Sequence, residues 1–237
     1  VDVADAFFDN ALDHARDLFA AGVPVVGVCA SGILIRAVAP LLADKTTEPP
    51  VVSVSDDGGV VVPLLGGHRG ANRLAARIAD ALGAVAAVTT AGDVALGVAL
   101  DAPPLGWRLV NPWDAKEAMA LLLSGAGARV TGPDAAAAEW LADLPAGDGV
   151  TITCGTAPVA ELGPHHLQFA PQRFALGVGC ARNCPEVDLA TLVGEALVEA
   201  RIAPGAIACL NTISLKADEP AILALAQAFG VPRRLFE

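Results

Sequence analysis

The sequence has 237 residues and a net charge of −11, with 54% hydrophobic and 17% charged residues. This balance is typical of globular domains with a sizeable core and excludes a disordered chain. The acidic charge argues against a nucleic-acid surface or an anionic membrane, and the lack of tyrosine removes a common base-stacking side chain. We therefore expect neither nucleic acid nor a membrane as a partner.

The five cysteines show no metal-ligand spacing. Cys180 and Cys184 are four positions apart, but no second pair and no nearby histidine completes a zinc set. An odd number of cysteines without a visible signal peptide fits reduced thiols in a cytoplasm. We predict a cytoplasmic protein without a metal site. The start at Val1 and the stop just after a strand-like segment lead us to expect a fragment of a longer polypeptide.

The first elements in chain order predict a βα unit. Residues 1–21 form an amphipathic pattern typical of a helix. Residues 23–29 are nearly all apolar, which predicts a central parallel strand buried on both faces. After the turn 30–32, residues 33–44 predict a helix that is kinked or restarted at Pro40.

The turn after this first strand is a candidate ligand site, because open α/β sheets bind ligands at the carboxyl ends of their strands. Ser31 is then a candidate contact, and Arg36 is another if it faces the turn. Two plainer interpretations stay open: Ser31 caps its helix, and Arg36 extends its charge from an apolar helix into solvent. Ser31 is not in a nucleophile-elbow sequence, which argues against a serine hydrolase.

The segment 60–90, VVVPLLGGHRGANRLAARIADALGAVAAVTT, is the one around which the chain is organised. A predicted hairpin over 51–65 leads into it. The glycine-rich turn 66–70 breaks the strand, a helix follows to Gly83, and 85–89 is again β-prone. This order predicts strand, turn, helix and strand. Residues 89–93 form a further turn, either facing a ligand or lying on the surface.

Basic side chains crowd the start of this helix. His68, Arg69 and Arg73 lie where backbone N–H groups already make a positive end, and unanswered cations there cost about 0.3–1 kcal/mol each. Glycine turns with basic side chains at a helix start suit an anion such as a phosphate or a carboxylate. A solvated turn whose arginines pair with Asp or Glu is the open alternative. The turn matches neither the phosphate-loop nor the dinucleotide pattern.

The remaining chain predicts further α/β steps beyond a boundary near 101–104. We expect helices over 113–124 and 134–143, strands over 128–131 and 150–154, and His165-His166 in a loop. The last part predicts a buried strand at 174–180, a helix at 186–201, a strand at 206–213, a helix at 221–229 with Asp218 as its N-cap, and a strand at 233–236. The predicted fold class is α/β, with mostly parallel sheets flanked by helices in two or three small domains, at 1–100, 101–172 and 173–237.

Four segments together resemble the CbiG/CobE proteins of cobalamin biosynthesis. They are VPVVGVCASGILIRAVAPLLADK at 23–45, residues 63–90 with LLGGHRGAN at 64–72, LGVGC at 176–180 and TISLKADEPAILALA at 212–226. The resemblance is weak only at about 100–172. It implies cobalt-precorrin-5A hydrolase activity, which opens a δ-lactone and releases acetaldehyde without a cofactor. It also implies a corrin precursor as substrate and a fused or associated precorrin methyltransferase as partner. The alternative is non-catalytic binding and hand-over of a precorrin intermediate.

By matching motif positions, the resemblance implies two sites. The catalytic candidates are His68 as general base, Ser31 and Glu219. The substrate-binding candidates from the resemblance are Gly32, Arg36, Gly66, Gly67, Gly70 and Asn72 in the first domain, and Gly177, Gly179, Cys180 and Lys216 in the last. The chemistry of the residues adds Arg69 and Arg73 at the helix start as carboxylate ligands, and Arg182, beside which Lys216 is a candidate for binding a carboxylate. Ser31, Gly32 and Arg36 are expected to line the same face as the glycine turn. After Gly179-Cys180 the chain departs from the basic, glycine-containing run expected there.

Overall fold

The computed structural model describes residues 7–45 and 47–237, without the side chains of His68, Ala91 and Asp93. The chain divides into two compact units between Val94 and Ala95. Each unit consists of mixed or parallel sheets with helices against them, which confirms the predicted α/β class. In the described part of the chain, no helix is both long enough and apolar enough to cross a membrane.

The first unit is built on a four-stranded sheet in the order β1-β2-β3-β4. Its strands are β1 (Val25–Val28), β2 (Val51–Val54), β3 (Val60–Leu65) and β4 (Val85–Ala86). Its helices are α1 (Ala11–Ala20), α2 (Ser31–Val38) and α3 (Ala71–Leu82), and α4 (Ala91–Leu96) spans the division. The β1–β2 and β3–β4 pairs are parallel, whereas β2–β3 is the predicted antiparallel hairpin.

Adjacent residues of β2 show the two layers of this core. Val51 belongs to a buried cluster with Phe19 of α1 and Leu34 of α2. Val52 belongs to a second cluster with Ala75 of α3. Because successive strand residues point to opposite faces, α1 and α2 cover one face of the sheet and α3 covers the other.

Two predictions for the first unit are wrong in position. The first helix begins at Ala11, because Asn10 Oδ1 caps it by accepting from the N–H groups of Leu12 and Asp13 at 2.9 and 3.3 Å; residues 1–6 of the predicted helix lie outside the described residues. The strand β1 is an edge strand with Val28 67% exposed, not a central one. The predicted break at Pro40 is confirmed, since α2 ends at Val38 and a 3₁₀ turn follows.

The second unit contains two sheets. The larger has the order β5-β8-β7-β6, and α5 (Ala115–Leu123) packs on it. Its strands are β5 (Trp107–Leu109), β6 (Ala128–Thr131), β7 (Val150–Cys154) and β8 (His166–Pro171).

The smaller sheet of the second unit is fully parallel in the order β11-β10-β9. It is formed by β9 (Phe174–Gly177), β10 (Ile207–Ile213) and β11 (Arg233–Phe236). Helices α6 (Glu186–Ala200) and α7 (Pro220–Phe229) share a buried cluster with β10. The predicted three-domain division stays a prediction.

Polar side chains explain why the larger sheet was only partly predicted. Strands β5 and β8 were missed, and His166 lies in β8 rather than in a loop. Gln168 breaks the apolar pattern of β8, yet it is buried because its Nε2 donates to the carbonyls of Gly155 and Ala157. The predicted helix at 134–143 is wrong: this segment forms two 3₁₀ turns, and Asp134 before them is held by an ion pair to Arg173 at 2.7 Å.

Two predictions for the smaller sheet are also wrong. The strand predicted at 174–180 ends at Gly177 and is an edge strand, so Phe174 is 37% exposed. Asp218 is not the N-cap of α7, which is Glu219. Asp218 instead accepts a hydrogen bond from Arg182 at 2.6 Å.

Candidate functional site

Ser31 and the glycine turn 66–70 lie at opposite ends of the first sheet. Val28, at the end of β1, is level with Val54 of β2, and Val54 is level with Val61 near the start of β3. Leu65, at the end of β3, is level with Val51 at the start of β2. The antiparallel β2–β3 pair therefore reverses the direction of β3 relative to β1. The expectation that Ser31, Gly32 and Arg36 line the same face as the turn is wrong.

The glycine turn has a backbone that only glycine fits well. Gly66 has a φ of 75°, and a Cβ there would lie 2.7 Å from the backbone of Pro49 and Pro50. Gly67–Arg69 forms a 3₁₀ turn, and Gly70, with a φ of 90°, is the N-cap of α3. His68 contributes its backbone to this turn, but its predicted catalytic side chain lies outside the described structure.

The predicted crowding of cations at the start of α3 is present. Arg69 is exposed, while the guanidinium of Arg73 folds back to within 3.0 Å of where a Cβ of Gly70 would stand. Burial lowers the pKa of Arg73, and the nearby charge of Arg77 lowers it further. Asn72 Nδ2 donates to Thr90 Oγ1 at 2.7 Å, which ties the helix start to the turn after β4. The arrangement is a partly desolvated basic surface at a strand end.

The contacts of Ser31 and Arg36 favour modest roles. Ser31 is the first residue of α2, and Ala30 is the N-cap, so the capping interpretation of Ser31 is wrong. Arg36 is exposed and donates to the carbonyl of Gly32, one turn earlier in its own helix, at 3.1 Å. This contact favours the plainer interpretation, in which Arg36 extends along its helix into solvent.

The carboxyl ends of the three parallel strands in the smaller sheet border an open cavity of about 710 Å³. Four of the predicted substrate-binding residues line it: Gly177, Gly179, Cys180 and Lys216. Its other lining residues are Val178, Asn211, Thr212, Ile213 and Phe236. Open α/β sheets bind ligands at this position. Sequence reasoning missed Asn211 and Thr212 as lining residues. Their position at the end of a predicted strand was the feature that could have indicated them.

Beside this cavity, a buried carboxylate lies between two cations. Glu219 is fully buried, and its Oε1 accepts from the N–H of Asn183 at 2.9 Å. Its Oε2 lies 3.7 Å from Lys216 Nζ and 3.8 Å from a guanidinium nitrogen of Arg182. The predicted catalytic Glu219 and the predicted ligand Lys216 are thus brought together.

Arg182 is engaged with the loop before α7 rather than with the cavity. It donates to Asp218 Oδ1 at 2.6 Å and to the carbonyl of Leu215 at 2.7 Å. The hydrogen bond from Arg182 lowers the pKa of Asp218, and the same bond raises the pKa of Arg182. Arg182 therefore stabilises the loop before α7 through charged hydrogen bonds.

The cysteines are free thiols. Burial raises the pKa of Cys180, and the neighbouring Cys184 and Glu219 raise it further, while Lys216 opposes them. A thiol with a raised pKa is a poor nucleophile at neutral pH. Over residues 7–45 and 47–237, no group of three or more His, Cys, Asp or Glu side chains is placed to hold a metal ion.

The chain is an α/β protein with an apolar cavity at the ends of parallel strands, the position at which open α/β sheets bind ligands. Two family models match the chain: Cobalamin synthesis G N-terminal at 13–93 and Cobalamin synthesis G C-terminus at 174–237. The chain is 31% identical over 239 aligned positions to a cobalt-precorrin-5A hydrolase of Salmonella typhimurium, covering 94% of this chain and 68% of that protein. The chain belongs to this cobalamin synthesis G family of cobalamin biosynthesis, which confirms the predicted family.

Two further relatives extend the comparison. A cobalt-precorrin-5A hydrolase of Priestia megaterium is 26% identical, covering 90% of this chain and 63% of that protein. The chain therefore spans about two thirds of the length of these two curated relatives, 68% and 63%. Protein CobE of Sinorhizobium sp is 40% identical over 77 residues, covering 32% of this chain and 50% of that protein.

Proposed function

We propose that this chain is a cobalt-precorrin-5A hydrolase, which opens the δ-lactone of its substrate with water and releases the two-carbon fragment as acetaldehyde. The observation that carries the proposal is the similarity to named hydrolases over 94% and 90% of the chain. The matched family regions 13–93 and 174–237 include both the glycine turn and the strand-end cavity. The proposal places the reaction in the cytoplasm, with a corrin precursor as substrate.

The proposed roles follow the chemistry of ester hydrolysis, which needs a placed water, a base and donors for the developing oxyanion. We assign His68 as the general base, and the amides at the start of α3 as donors. Arg69 and Arg73 are the carboxylate clamps on this side. Ser31 is left out of the catalytic set, because it lies at the other end of the sheet. The strand-end cavity of the second unit supplies binding rather than catalysis.

The test is acetaldehyde release from cobalt-precorrin-5A, measured with an alcohol dehydrogenase coupled to NADH oxidation. The wild-type chain is expected to release acetaldehyde, and His68→Ala to reduce turnover by roughly a hundredfold or more. His165→Ala is the matched control, because His165 is an exposed histidine of the second unit that bonds the carbonyl of Gly149, and it is expected to turn over normally. Unchanged turnover in His68→Ala would remove His68 from the mechanism.

A second candidate function is non-catalytic binding of a precorrin intermediate and its hand-over to a fused or associated precorrin methyltransferase. The similarity to Protein CobE favours it, since 32% of this chain matches half of a protein that, unlike the other two relatives, is not named as a hydrolase. Spectral titration with a corrin precursor separates the two candidates. Binding without acetaldehyde release supports the carrier, and acetaldehyde release supports the hydrolase.

A further inference from the structure

The strand-end cavity of the second unit contains a buried hydroxyl without a partner. Thr212 is 6% exposed, and its Oγ1 has no hydrogen-bond partner among the described residues. Thr212 also lines the cavity. The hydroxyl oxygen exposes less than 1 Å² of surface, so it belongs to the wall of the cavity and is not itself open to a ligand.

Lys216 brings a positive charge to the same cavity. Its side chain is 13% exposed, and its Nζ lies 3.7 Å from Glu219 Oε2. That separation is an ion pair longer than a hydrogen bond. The ammonium has three N–H donors, so the contact with Glu219 fixes the position of Lys216 while leaving donors for a ligand.

Glu219 lies beside both Lys216 and Arg182. Its carboxylate is 1% exposed and is shared between Lys216, Arg182 and the N–H of Asn183. Asp218 supplies a second negative charge, 2.6 Å from Arg182, so two carboxylates face two cations. Arg182 donates hydrogen bonds to Asp218 and to the carbonyl of Leu215. Of the two cations, Lys216 is therefore the one that lines the cavity.

The rest of the lining suits an alkyl chain. Val178, Ile213 and Phe236 supply apolar surface, and a Cβ built at Gly177 or Gly179 would meet nothing within 4 Å. A ligand arm with an apolar stem and an anionic end matches this order of groups. A phosphate is a poorer match, because it carries more acceptor oxygens and no apolar stem.

We propose that this cavity takes an alkyl carboxylate arm of the ligand, with Lys216 Nζ on the carboxylate and Glu219 as a positioning residue that holds Lys216. The identity of the ligand rests on the proposed function, since corrin precursors carry acetate and propionate arms. The site itself rests on the cavity and on the buried ion pair that places Lys216 in its lining.

The first experiment is a fluorescence titration of the full chain with uroporphyrin, a tetrapyrrole whose arms are acetates and propionates. Lys216→Met is expected to raise the dissociation constant roughly 10- to 100-fold. Lys116→Met is the matched control, because Lys116 is an exposed lysine of α5, and its dissociation constant is expected to equal that of the wild type.

Two further variants separate recognition from folding. Gly179→Leu is expected to abolish binding by filling open space, with an unchanged melting temperature by circular dichroism. Glu219→Gln is expected to weaken binding when Lys216 is present, but to add nothing in Lys216→Met. Residues that act through one another are non-additive in this way, and a merely structural role of Glu219 would weaken binding equally in both backgrounds.

Acetaldehyde release, measured on the same proteins, keeps the two proposals distinct. Binding of uroporphyrin that depends on Lys216, without acetaldehyde release by the wild type, overturns the hydrolase proposal and supports this site. Acetaldehyde release with equal uroporphyrin binding by the wild type, folded Lys216→Met and folded Gly179→Leu overturns this site alone. Failure of the wild type to bind uroporphyrin also overturns it.

Discussion

Two turns at strand ends carry the predicted basic residues, and they differ in what surrounds them. The turn 66–70 follows β3, whose neighbour β2 runs in the opposite direction, so only β4 approaches the same edge. The turn after β9 lies beside the ends of β10 and β11, which both run in the same direction. Three parallel ends make a cavity, whereas the mixed sheet separates Ser31 from the glycine turn. Strand direction, more than the local motif, decides which side chains meet.

The two turns are also stabilised differently. The first depends on backbone shape, with Gly66 pressed against Pro49 and Pro50. The second depends on charge, with Glu219 buried between Lys216 and Arg182. This contrast predicts that adding a methyl group at Gly66 destabilises the first turn, and that removing the carboxylate of Glu219 destabilises the second.

The largest effect is expected from Glu219→Ala. Removing one partner of a buried charged pair costs about 3–5 kcal/mol, because Lys216 is left mostly buried without its carboxylate. The neighbouring Asp218→Ala is the matched control, since Asp218 pairs with Arg182 at an exposed position and such pairs contribute roughly 0–1 kcal/mol. Urea unfolding followed by tryptophan fluorescence measures both, because all three tryptophans lie in the second unit. Equal losses in the two variants would show that Glu219 is not held as a buried charge.

A somewhat smaller loss is expected from Gly66→Ala. A non-glycine residue in the left-handed region costs about 1–2 kcal/mol, and overpacking adds roughly 1–3 kcal/mol, here against the backbone of Pro49 and Pro50. Gly67→Ala is the control, since a Cβ there meets nothing within 4 Å. Circular dichroism is expected to show a lower unfolding midpoint for Gly66→Ala and little change for Gly67→Ala. Similar midpoints would mean that the turn relaxes without cost.

Periodicity was sufficient to predict the elements whose burial follows from apolar spacing. Helices α3 and α6 and strands β7 and β10 all lie where their patterns indicated. Spacing could not show sheet order, because an apolar run such as 23–29 fits an edge strand and a central strand equally well. Strand β8 was missed because its buried Gln168 is satisfied by the carbonyls of Gly155 and Ala157, in the loop after β7.

The candidate site was likewise predicted only in part. The glycines, Cys180 and Lys216 were predicted from motif positions, and four of those residues, Gly177, Gly179, Cys180 and Lys216, line one cavity. Thr212 was missed, because a strand threonine gives no local sign that its hydroxyl lacks a partner. Arg182 was predicted as a substrate ligand, yet it closes a loop through Asp218, a contact between residues 36 positions apart.

The smallest effect, a pH dependence, tests whether the outer part of this network is electrostatic. The hydrogen bond from Arg182 and its charge hold the pKa of Asp218 below the ordinary value of 3.8. A carboxyl group whose pKa is lowered by folding stabilises the folded state above its unfolded pKa, and this stabilisation disappears as the pH falls through the folded pKa. Wild type is therefore expected to be slightly more stable than Asp218→Asn near pH 7, and the urea midpoints are expected to converge below the lowered pKa. A difference that persists in strong acid would mean that Asp218 acts as a neutral hydrogen-bond partner, and that only Glu219 contributes charge to holding the loop beside the cavity.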